Sequence, residues 1–300
     1  MNTTRNVVFC IACLCTPLLA QAPADQWKAV DAALGGRTGQ MQPGDVYKYS
    51  MPRRDLKVTK DGTTVAPGLA LGSWAAFKMM GNEAMVMGDL VLTEDEIEPV
   101  MLKLQQDGIE QTSIHNHLLG ETPHIVYMHI SGHGDPVKLA TALNAALALT
   151  KTPAPAPASP ASASAPTIEL DTKAIEQSIG VAGKVNGGIL QFTIPRAEKI
   201  SDSGMDIPPA MGTATAINFQ PTGGGKAAIS GDFVLLKDEV NPVLRALRAH
   251  GIEVTAMHNH MLFDEPHLYF MHFWANADAV TLAQGLKAAL DVTNSQRTRR

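Results

Sequence analysis

Eight of the ten histidines in this chain fall into four pairs, and the members of each pair stand 143 residues apart. His115, His117, His124 and His129 recur as His258, His260, His267 and His272. Imidazole is both a proton carrier near neutral pH and the commonest protein ligand of transition metals. Side chains alternate along a strand, so two histidines at i and i+2 share a face and can grip one ion. A carboxylate follows each His-x-His: Glu121 in the first copy, Asp264 and Glu265 in the second. This spacing predicts one metal site from His115, His117, Glu121 and His124 and another from His258, His260, Asp264 and His267, or one site shared between the halves. Three neutral imidazoles and a carboxylate suit Zn²⁺, Mn²⁺, Fe²⁺ or Ni²⁺. If a bound ion activates water, Glu121 and Glu265 are the candidate bases.

A structural reading stands beside the chemical one, because duplication copies a packing histidine as faithfully as a ligand. His129 and His272 would face away from His124 and His267 on a regular strand, so a supporting or structural role is expected for them. His133 and His250 have no counterpart and read as incidental. Met257 and Met261 hint at copper, since thioethers suit Cu(I), but Ile114 and Leu118 occupy the equivalent places and all four read as core. Asp89 and Asp232 follow glycine inside apolar strands, where capping of a strand end is the expected job. The run Gly223-Gly224-Gly225-Lys226 lacks the spacing of a phosphate-binding loop and reads as a turn. His-Asn-His does not match the dispersed HNH nuclease motif, and neither G-x-S-x-G nor H-E-x-x-H is present.

The elements that must position these residues repeat as well. Apolar runs at 85–92 and 228–235 suit buried strands. Thr93 and Glu96 form a capping box for a helix to about Gln106, and the counterpart from about Asp238 to His250 has lost the threonine. Gly108 and Gly251 stand where a helix ends in a left-handed residue. A strand from Ile109 to Leu118, a turn and a strand from His124 to Ile130 follow. Ile114, Asn116 and Leu118 should pack on the helices, with His115 and His117 on the opposite sheet face or in a groove between the halves. Asp135-Pro136 and Asp278 open the last helices, and Asp61-Gly62 marks a hairpin turn. The order strand, helix, strand, strand, helix predicts two similar α+β domains, each an antiparallel sheet with helices on one face, with a ferredoxin-like arrangement as the candidate topology.

Residues 1–22 carry Arg5, an apolar run from Val7 to Leu19 and Ala20-Gln21-Ala22, which read as a secretory signal peptide. All three cysteines (Cys10, Cys13, Cys15) lie inside it, so the mature chain would have neither disulfides nor thiolate ligands. No lipobox precedes Cys13 or Cys15, and no later stretch is apolar for long enough to span a bilayer. Residues 151–167 form a Pro/Ala/Ser linker between the repeat domains at 23–150 and 168–300. The formal charge of -5 argues against a nucleic-acid partner, which would need a basic stripe. The basic Arg297-Thr298-Arg299-Arg300 reads as a frayed tail.

The strings G-D-[LF]-V-L, E-[IV]-x-P-V, G-I-E-x-T and H-N-H-x-L-x-x-x-P-H-x-x-x-M-H are similar to those of the LppY/LpqO family of exported bacterial proteins. The resemblance covers both halves and implies export and a tandem arrangement of a domain of unknown function, with no activity or ligand set attached. The expectation is thus a periplasmic or secreted metal-binding protein. The alternatives are a non-catalytic module that binds a small molecule or envelope component, and a metal-dependent hydrolase of an envelope substrate.

Overall fold

The computed structural model describes residues 23–155 and 168–296. The expected signal peptide with its cysteines, most of the linker and the basic tail lie outside these residues. The first half runs α1 (Pro23–Ala33), β1 (Gln40–Gln42), β2 (Val46–Pro52), β3 (Thr59–Lys60), β4 (Thr63–Thr64), α2 (Pro67–Ala70), β5 (Gly72–Met80), β6 (Glu83–Thr93), α3 (Glu94–Gln106), β7 (Glu110–His115), β8 (Ile125–Gly134) and α4 (Pro136–Leu147). The second half runs α5 (Thr172–Ile179), β9 (Lys184–Asn186), β10 (Ile189–Pro195), β11 (Ser201–Asp202), β12 (Met205–Asp206), a 3-10 turn at Pro209–Met211, β13 (Ala214–Gly223), β14 (Lys226–Leu235), α6 (Lys237–Ala249), β15 (Glu253–His258), β16 (Asp264–Glu265), β17 (Tyr269–Asp278) and α7 (Ala279–Leu290).

Each half builds a six-stranded sheet, ordered β1-β2-β5-β6-β8-β7 and β15-β17-β14-β13-β10-β9. All of the neighbouring strands run antiparallel. The order β5-β6-β8-β7 is that of a ferredoxin-like sheet whose fourth strand is supplied from the chain before β6. Local signals explain the helix ends. Glu96 Oε2 accepts the Thr93 N–H at 3.0 Å, and Glu239 does the same for Leu236 at 2.8 Å although the capping threonine is gone. Asp135 accepts from the Val137 and Lys138 N–H groups, Asp278 from that of Thr281, and Gly108 and Gly251 take positive φ after their helices.

Strand alternation sorts the side chains into two faces. On β6 and β8, Val86, Leu90, Leu92, Met128 and Ile130 pack against Val30, Val100 and Leu143 of the helices. The other face carries Met85, Met87 and Val91 of β6 and Tyr127 of β8, and it meets Ala228, Val234, Phe270 and Trp274 of the second half. The molecule is therefore layered helix–sheet–sheet–helix, with the two sheets face to face. Thr112 donates its hydroxyl to the His260 carbonyl at 2.6 Å, and Thr255 donates to the His117 carbonyl at 2.6 Å. This reciprocity marks an approximate two-fold axis between the halves.

Two expectations about the apolar set need correction. β7 leaves the sheet after His115, short of Leu118. Ile114 and Met257 do lie on the helix side, opposite Met128 and Met271, yet they are 48% and 56% exposed. They sit on the edge strands β7 and β15. Leu118 and Met261 are buried, but in the clusters that join the halves rather than under the helices.

Each half also buries an arginine. Arg53 donates to the Val91 carbonyl at 2.6 Å, to Glu96 at 2.7 Å and to Asp55 at 3.0 Å. Arg196 repeats this with Val234, Glu239 and Glu198. Burial alone would lower these guanidinium pKa values, but the carboxylates overcome it and hold both above their ordinary range.

Candidate metal centre

The sheet-to-sheet face gathers its imidazoles and carboxylates at its middle. There β6 presents Asp89 directly across from His129 on β8, and β14 presents Asp232 across from His272 on β17. The ends of the edge strands bring in His115 and His258, and the turns that follow bring in His117 and His260. Six imidazoles and two carboxylates thus converge from both halves.

The rings stack in pairs that cross the interface. His115 lies on His258 at 3.5 Å between centroids, His117 on His272 at 3.7 Å, and His129 on His260 at 3.8 Å. Tyr127 closes one end against His117 and Phe270 the other against His260, each at 3.4 Å. Asp89 Oδ2 is 3.4 Å from His117 Nε2 and 3.9 Å from His129 Nε2. Asp232 Oδ2 is 3.2 Å from His260 Nε2, and its Oδ1 is 4.0 Å from His272 Nδ1.

Three rings have their tautomer set by backbone. His115 donates Nδ1–H to the Asn116 carbonyl at 3.1 Å, His260 to Gly212 at 3.1 Å, and His272 to Gly231 at 2.8 Å. A carbonyl only accepts, so the proton sits on Nδ1, and Nε2 of a neutral ring keeps its lone pair. Metal-binding histidines are held in this manner by a second hydrogen bond.

Electrostatics favour neutral rings. Burial pushes His117, His129, His258 and His272 well below the usual imidazole range, with neighbouring histidines adding to the effect. Burial likewise takes His260 down to about 3 and raises Asp232 to about 6. An unprotonated imidazole is the form that binds a cation.

Ligand atoms within 4.8 Å of one another fall into three groups: His115, His129 and His258; His115, His117 and His272; Asp232, His258 and His260. The second and third share no residue, so both could be filled at once. Buried side-chain atoms with no hydrogen-bond partner concentrate at the same place. They are Asp89 Oδ1, Asp232 Oδ1, both ring nitrogens of His258, and Nε2 of His115, His129, His260 and His272; elsewhere among the described residues only Arg37 Nε and Glu121 Oε2 share that state.

A cleft of about 1100 Å³ opens onto Asp89, His117, His129, Asp232, His260 and His272 from between the sheets. Lys48 stands on its wall, 4.1 Å over the Trp74 ring, donating to the Ala210 carbonyl at 2.9 Å. Burial lowers its ammonium pKa to about 8.

The chain matches a family model described as a Domain of Unknown Function (DUF1259) twice, over residues 28–149 and 173–292. The chain belongs to that family. It holds the domain in two tandem copies, and the interface between the copies is where the histidines meet. No curated protein matches. Two solved structures are similar over most of their length: a trimeric bacterial microcompartment shell protein, PduB, and EtuB from Clostridium kluyveri. PduB is 12% identical, over 87% of this chain and 96% of its own, with a TM-score of 0.23. EtuB is 9% identical, over 85% and 91%, with a TM-score of 0.20.

Of the residues expected as ligands, the structure brings His115, His117, His258 and His260 together, across the family repeat rather than within each copy. Glu121, His124, Asp264 and His267 enter none of the three groups. They close the hairpin turn instead. Glu121 Oε1 accepts from His124 Nδ1 at 2.9 Å and from the Ile125 N–H at 3.1 Å. Asp264 holds His267 at 2.8 Å and the Leu268 N–H at 2.6 Å. Glu265, the other candidate base, is exposed on β16, opposite Ser201. The physical reason is chain direction: the turn carries its carboxylate and histidine past the end of the sheet, while the centre lies between the faces. Sequence reasoning undervalued His129, His272, Asp89 and Asp232. The aspartates are not strand-end caps, and the available signal was a carboxylate repeated inside an apolar strand, which has to find a buried partner.

Proposed function

We propose that this is an exported divalent-metal-binding protein whose centre is shared between its two halves. Eight buried nitrogen and oxygen atoms without partners, on five histidines and two aspartates between the sheets, support the reading. Leaving a buried polar atom unpaired costs about 1–3 kcal/mol, so a cluster of them needs a missing partner. Nitrogen-rich ligands with carboxylates favour Zn²⁺, Mn²⁺, Fe²⁺ or Ni²⁺. His115, His117, His258, His260, His272 and Asp232 are the proposed ligands, with His129 and Asp89 completing the shell. Export rests on residues 1–22 and on the likeness to the LppY/LpqO family; among the described residues no helix is long and apolar enough to cross a membrane.

Elemental analysis of untagged protein purified without chelator tests this. The expected result is at least equimolar metal, reduced to background by a His115→Ala/His258→Ala double substitution and retained by His124→Ala/His267→Ala. Absence of metal after exposure to all four ions would sink the reading.

A further inference from the structure

The cleft is asymmetric between the two halves. Among the glycines, prolines and alanines of its walls stand hydroxyl and amide groups, including Ser50, Ser73, Thr193, Asn218 and Ser230. Its only acids are Asp89 and Asp232, which belong to the centre. Two lysines line it: Lys184 is exposed, while Lys48 lies within the cleft. Equivalent to Lys48 in the second half is Gln191, whose amide is engaged with the Gly68 carbonyl and with Asn218, each at 3.2 Å. Lys48 makes a single hydrogen bond, to Ala210, among the described residues. An ammonium has three donors, so capacity remains for a ligand beside the Ala210 carbonyl and the Trp74 ring. The Trp74 ring lies under the ammonium of this lysine and also reaches the strip of backbone at Gly212 whose carbonyl fixes His260, so the cation and the centre share one wall.

We infer that the cleft binds a small oxyanion, the phosphate or carboxylate group of a soluble molecule, with Lys48 as its charge partner and the metal centre as its second contact. This rests on the metal reading above. One divalent ion balances the two aspartates, and Lys48 then leaves the cleft with a net positive wall. Charge-assisted hydrogen bonds from a positioned ammonium to an oxyanion are about twice as strong as neutral ones. The hydroxyl and amide lining supplies donors for the remaining oxygens. The cation sits on one wall only, so the anionic end of the ligand points to the first half.

Calorimetric titration of the metal-loaded protein with inorganic phosphate and, separately, with acetate tests this, and the two arms distinguish the sources of the oxyanion. Binding of at least one anion at millimolar concentration is expected. Lys48→Gln, which copies the second half, should weaken that binding at least tenfold with metal content and melting temperature unchanged, and Lys48→Arg should restore most of it. No binding of either anion, or binding indifferent to Lys48→Gln, would overturn the inference while leaving a loaded metal centre standing. A wild-type protein that takes up no metal would instead overturn the metal reading and this one with it.

Discussion

Arg53 and the histidine centre are both buried and polar, and their atoms are paired in opposite ways. Arg53 has no exposed surface, and it reaches a carbonyl and two carboxylates. Glu96 is tied in turn to the Thr93 and Lys151 N–H groups. Nothing from outside is needed, and the same arrangement around Arg196 links β10, β14 and α6. At the centre, rings that could have been satisfied by one another or by backbone stop one atom short: His115, His260 and His272 each spend Nδ1 on a carbonyl and leave Nε2 open. A cluster that closes on itself is structural. A cluster that is preorganised and left incomplete is built for something that arrives later.

The contrast can be broken most forcefully with acid. His117, His129, His258, His260 and His272 all have native pKa values below the 6.5 of the free side chain. Below that pH the unfolded chain binds protons that the native centre refuses. Their contribution is therefore fully present above pH 6.5 and is lost as pH falls, for His260 down to about 3. Each can contribute a slope of up to roughly 1.4 kcal/mol per pH unit. Asp232 has the opposite sign: raised from 3.8 to about 6, its contribution is present at low pH and lost as pH rises through 6, offsetting one histidine. Melting curves of metal-free protein from pH 8 to pH 5 should show a steep fall beginning near 6.5. A flat profile would mean that the rings are not held neutral by burial.

Removing a self-sufficient partner comes next. Arg53→Met leaves Glu96 buried without its cation, and should destabilise by about 3–5 kcal/mol as measured by urea unfolding. Metal content per folded molecule should not change. Loading comes third: metal at a hundredfold excess over its Kd should stabilise the wild type by about 2.7 kcal/mol, reversibly with chelator. His258→Leu reverses the usual sign. Both its ring nitrogens are unpaired, so the metal-free variant should be more stable than the wild type by about 1 kcal/mol, yet fail to gain on metal addition. Smallest is the turn: Glu121→Gln should cost about 1 kcal/mol and leave metal content intact.

Much of the fold was legible in the sequence because its signals are local. The reach of Glu96 to Thr93, the caps at Asp135 and Asp278, the turn at Asp61-Gly62 and the glycines after α3 and α6 each act within a few residues. The His-x-His pairs were legible too, since duplication displays them twice. What the sequence hid was the second sheet. Spacing along one strand placed His115 and His117 together, but the partner ring of His115 is His258, and that of His117 is His272. Such contacts depend on how two sheets stack, and nothing near those residues in the chain encodes it. For the same reason His124 and His267 looked like ligands: they are near in sequence, but the turn takes them past the interface where the other rings meet.

The most direct measurement is anomalous diffraction from crystals of metal-loaded protein, collected at the absorption edge of the bound element. Strong peaks among His115, His117, His258, His260 and His272, between the two sheets, are the expected result. Peaks at the Glu121–His124 or Asp264–His267 turns, or a centre filled by ordered water with no metal density, would contradict it.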